Sequence, residues 1–197
     1  MKTTLNYDRY CQGTQLVLDQ SQLEQGAYWH TVKNIRFLVL KGVFSPKYFT
    51  DTEFFINNFP PLRNKSFLEI GPGIGAGLVF AKLSGAKEVY GVDINPVAVL
   101  NSKLNAELHN TEVKITQGDV LSTFSKGKSF DYIYWNVPFG LIPEESSITD
   151  LQKSVFDPGY KSITKFFRNA HLHLSTQGSL LVGFSDTLGD IRKLIEI

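Results

Sequence analysis

Residues 67–77, F-L-E-I-G-P-G-I-G-A-G, decide the fold of this chain. Residues 67–70 predict a short buried strand, and the glycines after it allow a tight turn at which a ligand can approach the backbone. A helix is predicted directly after the turn, over residues 76–84, with Gly85 as its C-terminal cap. A strand, a glycine turn and a helix in this order are typical of a Rossmann-like unit.

The same alternation continues along the chain. Asn95 and Pro96 predict a helix start, because asparagine caps helices and proline suits the first helical position. Further strands are predicted over residues 88–92, 113–116, 130–135 and 179–184, and further helices from residue 156 or 160 to 174 and over 188–197. Alternation of this kind predicts an α/β three-layer sandwich around a mainly parallel sheet. We expect the strand order 3-2-1-4-5, with the fifth strand at an edge that is unprotected or covered by a partner.

Two regions fall outside this pattern. Residues 27–40 are predicted to form a helix from the spacing of their apolar positions, and residues 50–57 a second helix that ends before Pro60 and Pro61. The stretch 137–158 is predicted to be irregular, and loops of that length are usually functional or mobile.

Composition excludes several classes of protein. Cys11 is the only cysteine, which excludes an intramolecular disulfide and a zinc cluster, and the histidines lack metal-ligand spacing, so we expect no metal. The net charge of +1 disfavours avid binding of bare nucleic acid. Neither a secretory signal nor a membrane-spanning segment is recognisable, so we expect a cytoplasmic protein without a membrane partner.

The glycine turn is compatible with two cofactors. Gly71, Gly73 and Ala76 satisfy the dinucleotide fingerprint G-x-G-x-x-G/A, in which a pyrophosphate lies at the helix N-terminus. Asp93 ends the second strand, where a carboxylate can accept hydrogen bonds from both hydroxyls of a ribose. These residues alone do not distinguish a nicotinamide dinucleotide from S-adenosylmethionine as the cofactor.

Three features favour S-adenosylmethionine. Glu69 lies inside a strand, where a carboxylate is costly without a partner, and it could hold the glycine loop or a cationic amino-acid group. Asp119 and Val120 follow the third strand, where the acid could accept from an adenine amino group and the valine could pack on the ring, although Gly-Asp is also ordinary turn chemistry. The fourth strand ends in N-V-P-F, residues 136–139.

With these motifs the chain resembles the class I S-adenosylmethionine-dependent methyltransferases. Within that class it is similar to the small-domain group that methylates amino nitrogens of ribosomal RNA bases or of protein glutamines. The resemblance covers residues 43–197, and the segment 41–46, K-G-V-F-S-P, resembles the one that lines the pocket in that group. It therefore implies a helical appendage and cofactor lid over residues 1–65 and a Rossmann-like domain over 66–197. The usual seven-stranded sheet would lack its last two strands here, which leaves room for a dimer through the fifth-strand edge.

The resemblance also implies the site. The cofactor residues implied are Glu69, Gly71, Pro72, Gly73, Gly75, Asp93, Ile94, Asp119, Val120 and Asn136. The catalytic residues implied are Asn136, Val137, Pro138 and Phe139, which match the motif N-P-P-Y/F.

One departure from that motif concerns Val137, which stands where the family has its first proline. In the mechanism that the family implies, the Asn136 side-chain oxygen and the next carbonyl accept hydrogen bonds from the target amine, and the aromatic ring of Phe139 stacks on the substrate. Valine keeps the carbonyl but loses the rigidity that proline gives to the turn.

The interpretation that follows is a methyltransferase acting on RNA, a protein glutamine or a small metabolite. An NAD-dependent oxidoreductase is the first alternative, although Tyr160 and Lys161 have the wrong spacing for a Tyr-x-x-x-Lys dyad. The second alternative is a cofactor-binding module that has lost turnover through Val137 or through its short C-terminus.

Overall fold

The computed structural model describes residues 4–125, 127–186 and 189–197. Its core is a parallel sheet of five strands with helices on both faces, which confirms the predicted α/β class. In chain order the elements are α1 (Thr4–Ser21), β1 (Tyr28–Val32), β2 (Ile35–Val39), α2 (Thr52–Asn57), β3 (Ser66–Ile70), α3 (Ala76–Leu83), β4 (Glu88–Asp93), α4 (Pro96–Leu108), β5 (Lys114–Gln117), β6 (Phe130–Asn136), β7 (Gly140–Ile142), β8 (Phe156–Pro158), α5 (Lys161–Ala170), β9 (Leu174–Gly183) and α6 (Ile191–Ile195).

The strand order in the sheet is β5-β4-β3-β6-β9, which is the predicted order 3-2-1-4-5. The central strand β3 is buried along most of its length, with Phe67, Leu68 and Ile70 among the most enclosed side chains of the protein. Phe67 packs with Leu78 of α3, whereas Leu68 packs in the cluster that holds Phe166 of α5. Because opposite faces of one strand contact different helices, β3 forms the middle of a three-layer sandwich.

Strand β9 lies at one edge of the sheet, as predicted for the fifth strand, and it begins at Leu174, five residues before the predicted start. The final helix is shorter than predicted, since α6 begins at Ile191, and residue 188 lies outside the described residues. A dimer through the β9 edge stays a prediction. Among the described residues, no helix is long and apolar enough to cross a membrane.

The predicted helix over residues 27–40 is wrong. This region forms the antiparallel hairpin β1–β2, closed by Lys33 and Asn34 at φ values of 48° and 69°. Two central residues with positive φ are the requirement of a type I′ hairpin turn. Along β2 the buried residues Phe37 and Val39 alternate with less buried neighbours, so the true period is two rather than 3.6.

The stretch 137–158, predicted to be irregular, contains regular structure. Strands β7 and β8 pair in parallel within it, and a short 3₁₀ turn spans Gln152–Ser154. Helix α1 was not predicted, and its Leu18 packs beside Val155 and Phe156 of this stretch. The N-terminal helix therefore covers the segment that was expected to be a free loop.

Two asparagines of α4 fasten the hairpin to the sheet domain. Asn105 Oδ1 accepts a hydrogen bond from the Leu38 N–H at 2.8 Å, and its Nδ2 donates to the carbonyls of Leu38 and Ile74, both at 2.8 Å. One turn earlier, Asn101 bonds the N–H of Leu40 and the carbonyl of Leu38. Both side chains are fully buried. They satisfy backbone groups that the two-stranded hairpin leaves unpaired on its outer edge.

We expect Asn105→Ala to lower the free energy of unfolding by about 2–4 kcal/mol, because it leaves buried backbone groups without partners. Urea unfolding followed by circular dichroism measures this loss. Lys103→Ala, at an exposed position of the same helix, is the matched control and should change stability by less than about 0.5 kcal/mol. Equal effects of the two substitutions would show that the asparagine contacts do not hold the hairpin.

Candidate functional site

A cavity of about 510 Å³ opens at the carboxyl ends of β3, β4 and β6. This edge is where ligands bind in open parallel sheets. Ten of the residues proposed from the sequence line it, namely Glu69, Gly71, Pro72, Gly73, Asp93, Ile94, Asp119, Val120, Asn136 and Pro138. The other three, Gly75, Val137 and Phe139, are not part of its lining.

The turn after β3 depends on glycine in two different ways. Gly71, Gly73 and Gly75 have φ values of 64°, 58° and 80°, which L residues rarely adopt. A Cβ atom on Gly73 would meet nothing within 4 Å, so this part of the turn faces open space. A Cβ atom on Gly75 would lie 2.9 Å from Cα of Ser102. Gly75 therefore allows α4 to approach the turn, while Gly71 and Gly73 line the cavity.

Glu69 is a buried carboxyl group under the first turn of α3, with 6% of its surface exposed. A Cβ atom on Gly77 would lie 2.5 Å from its Oε2, which shows how closely the helix covers it. Oε2 has no hydrogen-bond partner. Burial, with a smaller contribution from the charge of Asp93, raises the pKa of Glu69 to about 8. An unpartnered buried carboxyl group of this kind fits a ligand that carries a cationic amino group.

Asp93 connects the glycine turn to the start of α4. Its Oδ2 accepts from the Gly73 N–H at 3.1 Å, and its Oδ1 accepts from the Asn95 N–H at 2.9 Å. Burial raises the pKa of Asp93 to about 6, and these backbone hydrogen bonds oppose the rise. A carboxylate has about four acceptor positions, so Asp93 retains capacity for the hydroxyl groups of a ribose.

Asp119 and Val120 form the third side of the cavity. The Asp119 side chain is about half exposed, and its Oδ2 pairs with Lys165 Nζ at 2.6 Å. Lys165 lies 46 residues further along the chain, and no local sequence pattern predicts this contact. Val120 is buried at φ 56°, a conformation that is rare for a β-branched residue. Strained residues of this kind cluster at ligand sites.

Asn136, at the end of β6, is oriented by a residue that the sequence analysis also missed. Its Nδ2 donates to Asp51 Oδ2 at 3.0 Å. Asp51 directly precedes α2, where an acid is usually read as a helix cap. Here it makes no side-chain cap bond and contacts Asn136 instead. Nothing in the local sequence indicates a contact between residues 85 positions apart.

Three buried side-chain oxygens of the described residues have no hydrogen-bond partner. They are Asp51 Oδ1, Glu69 Oε2 and Asn136 Oδ1. Glu69 and Asn136 line the cavity, whereas Asp51 is not part of its lining and is next to Thr52 in the chain and hydrogen-bonded to Asn136. Buried polar atoms in folded proteins are almost always paired, so an unpaired group in a cavity calls for an explanation such as a ligand. Two of the three oxygens belong to the hydrogen-bonded pair Asn136 and Asp51, and the third belongs to the carboxyl group of Glu69.

The turn after Asn136 differs from expectation at Phe139. Its ring packs edge-to-face on Phe184, with 6.2 Å between the ring centroids, and does not form the cavity wall. Val137 is buried, and its N–H donates to the Gly183 carbonyl at 3.1 Å. The structure therefore places the Phe139 ring against Phe184, and its stacking on a substrate stays a prediction.

The mouth of the cavity is built from two distant segments. Residues 144–162 supply one side, and Phe44 and Pro46 supply part of the other. The lysines of this rim are paired with carboxylates, since Lys153 contacts Asp150 at 2.8 Å and Lys161 contacts Glu144 at 3.1 Å. The parts of the chain that the structure describes contain no cluster of side chains suited to a metal ion.

Comparison with known proteins places this site in a family. The family model of the methyltransferase small domain matches residues 34–196. A Methanocaldococcus jannaschii protein, provisionally named a protein N5-glutamine methyltransferase, is 29% identical over 172 residues, which cover 83% of this chain and 85% of that protein. The release factor glutamine methyltransferase of Clostridium acetobutylicum is 37% identical over 111 residues, which cover 52% of this chain but only 38% of the relative.

Solved structures show the same fold. One from Streptococcus mutans, provisionally named an S-adenosylmethionine-dependent methyltransferase, superimposes with a TM-score of 0.61 at 17% identity. The match covers 88% of this chain and 46% of that one. The comparisons give no support to the oxidoreductase or to the module without turnover. They confirm the resemblance inferred from the motifs: the chain belongs to the methyltransferase small domain family and is an S-adenosylmethionine-dependent methyltransferase.

Proposed function

We propose that this chain methylates the side-chain amide nitrogen of a protein glutamine. The observation that carries the proposal is the hydrogen-bonded pair of Asn136 and Asp51, whose remaining oxygens are buried and unpartnered. A primary amide offers two N–H donors, which match these two acceptors. The names of the Methanocaldococcus jannaschii and Clostridium acetobutylicum relatives support a glutamine acceptor.

The cofactor side of the cavity supports the residue roles proposed from the sequence. S-adenosylmethionine supplies a methyl group on a positively charged sulfur. We assign Glu69 to its amino group, Asp93 to its ribose, and Asp119 with Val120 to its adenine. The open face of the turn at Gly73 supports close approach of such a ligand to the backbone.

On the acceptor side, Asn136 and Asp51 act by orientation. Asn136 Oδ1 and Asp51 Oδ1 accept from the two N–H groups of the target amide and so hold its nitrogen in one orientation. Holding reactants in line supplies several kcal/mol of a transfer barrier. The proton that the nitrogen loses on methylation passes to Asp51 Oδ1, because Asp51 is the carboxylate of this pair.

The charge of the cavity favours an uncharged acceptor over RNA. Six carboxyl groups line it, at Glu69, Asp93, Asp119, Glu144, Asp150 and Asp157, against two lysines, Lys153 and Lys161. Both lysines lie beside carboxylates, which offset their positive charge. Binding of RNA depends on cations that neutralise the phosphate backbone. Methylation of an RNA base is therefore the less favoured outcome, and a small metabolite is tested beside the glutamine peptide.

We also propose that the segment around Phe44 and Pro46 acts as the cofactor lid assigned to residues 1–65. Its support is that both residues line the cavity and that Asn95 Nδ2 donates to the Gly42 carbonyl at 2.7 Å. That contact connects the segment to the start of α4, beside Asp93. The boundary at residue 65 and the cytoplasmic location stay predictions.

The cofactor assignment predicts that Asp93→Ala weakens binding of S-adenosylhomocysteine at least about tenfold, because hydrogen bonds to a charged group contribute about 1.5–3 kcal/mol. Isothermal titration calorimetry measures this affinity. Glu112→Ala, which removes an exposed acid remote from the cavity, should change it by less than about twofold. Wild-type affinity in Asp93→Ala would exclude Asp93 as the ribose ligand.

The assignment of Glu69 predicts a pH dependence. Its pKa of about 8 means that the carboxyl group is mainly protonated at pH 7 and must lose its proton to pair with a cationic amino group. We therefore expect affinity for S-adenosylhomocysteine to rise between pH 6.5 and about pH 8, with protons released on binding. Calorimetry in buffers of different ionisation enthalpy detects that release. Glu69→Gln should lose the rise above pH 7, and an unchanged pH profile in this variant would rule out the pairing.

The acceptor assignment predicts that Asn136→Ala lowers kcat on a glutamine-bearing peptide by about 100-fold, on the order of 3 kcal/mol, with cofactor affinity changed only a few-fold. Asp51→Ala should lower kcat by about tenfold, since it frees the amide of Asn136 and removes the proton acceptor. Transfer of a radiolabelled methyl group measures both rates.

Asn57→Ala, at an exposed position of α2, is the control and should turn over at the wild-type rate. Ribosomal RNA fragments and amino metabolites are screened in parallel. Methylation of one of these but not of the peptide, or full activity of Asn136→Ala, would contradict the glutamine proposal.

A further inference from the structure

Tyr160 joins the turn after Asn136 to the C-terminal helix. Its hydroxyl donates to the Phe139 carbonyl at 2.7 Å and accepts from the Asp190 N–H at 2.9 Å. Asp190 is the N-cap of α6, where its side chain accepts from two backbone N–H groups. Tyr160 itself is fully buried. One hydroxyl group thus holds two segments that are about 50 residues apart in the chain.

The backbone at Tyr160 is strained. Its φ of 55° lies in the left-handed region, which is uncommon for a bulky aromatic residue. The conformation is imposed from both sides, because the Tyr160 N–H donates to the Asp157 carbonyl and the Asp157 carboxylate accepts from the N–H groups of Ser162 and Ile163. A strained backbone conformation persists only where the surrounding contacts hold it in place, and such residues are concentrated at functional sites.

The start of the same turn has a second anchor. The Val137 N–H donates to the Gly183 carbonyl at 3.1 Å, at the end of β9. Proline has no N–H and could not make this bond. Val137, which replaces the first proline of the motif N-P-P-F, therefore makes a backbone hydrogen bond that a proline could not make. This bond restrains the turn at the position where the proline ring is missing.

The segment at Gly189 approaches the turn closely. A Cβ atom on Gly189 would lie 2.9 Å from the Phe139 carbonyl oxygen and would overlap the ring of Phe184. Phe184 also packs edge-to-face on Tyr160, with 6.4 Å between the ring centroids. The turn is therefore enclosed by Tyr160, Gly189 and Phe184.

From these contacts we propose that Tyr160 is a positioning residue for methyl transfer. Its hydroxyl, together with the N–H of Val137, fixes the turn 136–139 against β9 and α6 and so replaces the rigidity of the missing proline. The proposal rests on the function proposed above, in which Asn136 orients the acceptor. Tyr160 acts through the backbone and does not line the cavity.

The test is Tyr160→Phe, which removes the hydroxyl and keeps the ring. We expect backbone amide exchange in residues 137–142 to accelerate about tenfold or more, because one end of the turn is released. Exchange in β3 and β4 should stay at the wild-type rate. On a glutamine-bearing peptide that the wild type methylates, kcat should fall about tenfold, while KM and the affinity for S-adenosylhomocysteine change less than about twofold. Tyr132→Phe, a half-buried tyrosine of β6 that is not part of the cavity lining, is the matched control.

Wild-type exchange in residues 137–142 of Tyr160→Phe would overturn the proposal. Faster exchange throughout the sheet would overturn it too, since that result identifies a general stabilising role. Should Tyr160→Phe fail to fold, Gly189→Ala is the second variant, because its methyl group would displace the Phe139 carbonyl and the Phe184 ring. It should give the same local exchange and the same loss of kcat. The exchange measurement needs no acceptor, so an inactive wild type on glutamine peptides counts against the proposed function and not against the anchoring of the turn.

Discussion

Strand β3 lies in the middle of the sheet, hydrogen-bonded in parallel to β4 on one side and to β6 on the other, and the site depends on this pairing. The register places Glu69 opposite Gly91 of β4 and Tyr134 of β6. Parallel strands end at the same edge of a sheet. The glycine turn, Asp93 and Asn136 therefore meet around one cavity, although Gly73 and Asp93 are 20 positions apart in the sequence and Asp93 and Asn136 are 43 apart. The bond from the Gly71 N–H to the Val92 carbonyl, at 2.8 Å, extends this pairing into the turn itself.

Buried polar groups in this protein divide into two kinds. Asn101 and Asn105 are fully buried and bonded to backbone groups, and they make the N-terminal hairpin part of the domain. Asp51, Glu69 and Asn136 instead keep one buried oxygen each without a partner. An unpaired buried group costs about 1–3 kcal/mol, and more when it is charged. The first kind stabilises the fold, whereas the second costs stability and is concentrated where the ligands are proposed to bind. Proteins tolerate such a cost at functional sites.

The turn after β6 illustrates how rigidity can be obtained by different means. In the motif that this chain resembles, a proline ring restricts the turn from within. Here the restriction comes from outside, through hydrogen bonds that Val137 and Tyr160 make with β9 and with the N-terminus of α6. The orientation of Asn136 then depends on the packing of the C-terminal segment. The aromatic ring of Phe139 packs on Phe184 of the same segment.

The sequence by itself determined the sheet, its strand order and the part of the cavity lining at the strand ends, because glycine turns, caps and short apolar strands are local signals. The helix predicted over residues 27–40 was wrong, since a few apolar positions fit both the helical period of 3.6 and the strand period of two. The contacts of Phe37 and Val39 with the domain decide for the strand. The orientation of Asn136 by Asp51, the pairing of Lys165 with Asp119 and the anchoring of the turn by Tyr160 were decided by the tertiary structure alone. Each of these contacts joins residues about 20 to 85 positions apart. No local pattern encodes such a contact, because it exists only once the sheet has brought the ends of its strands together.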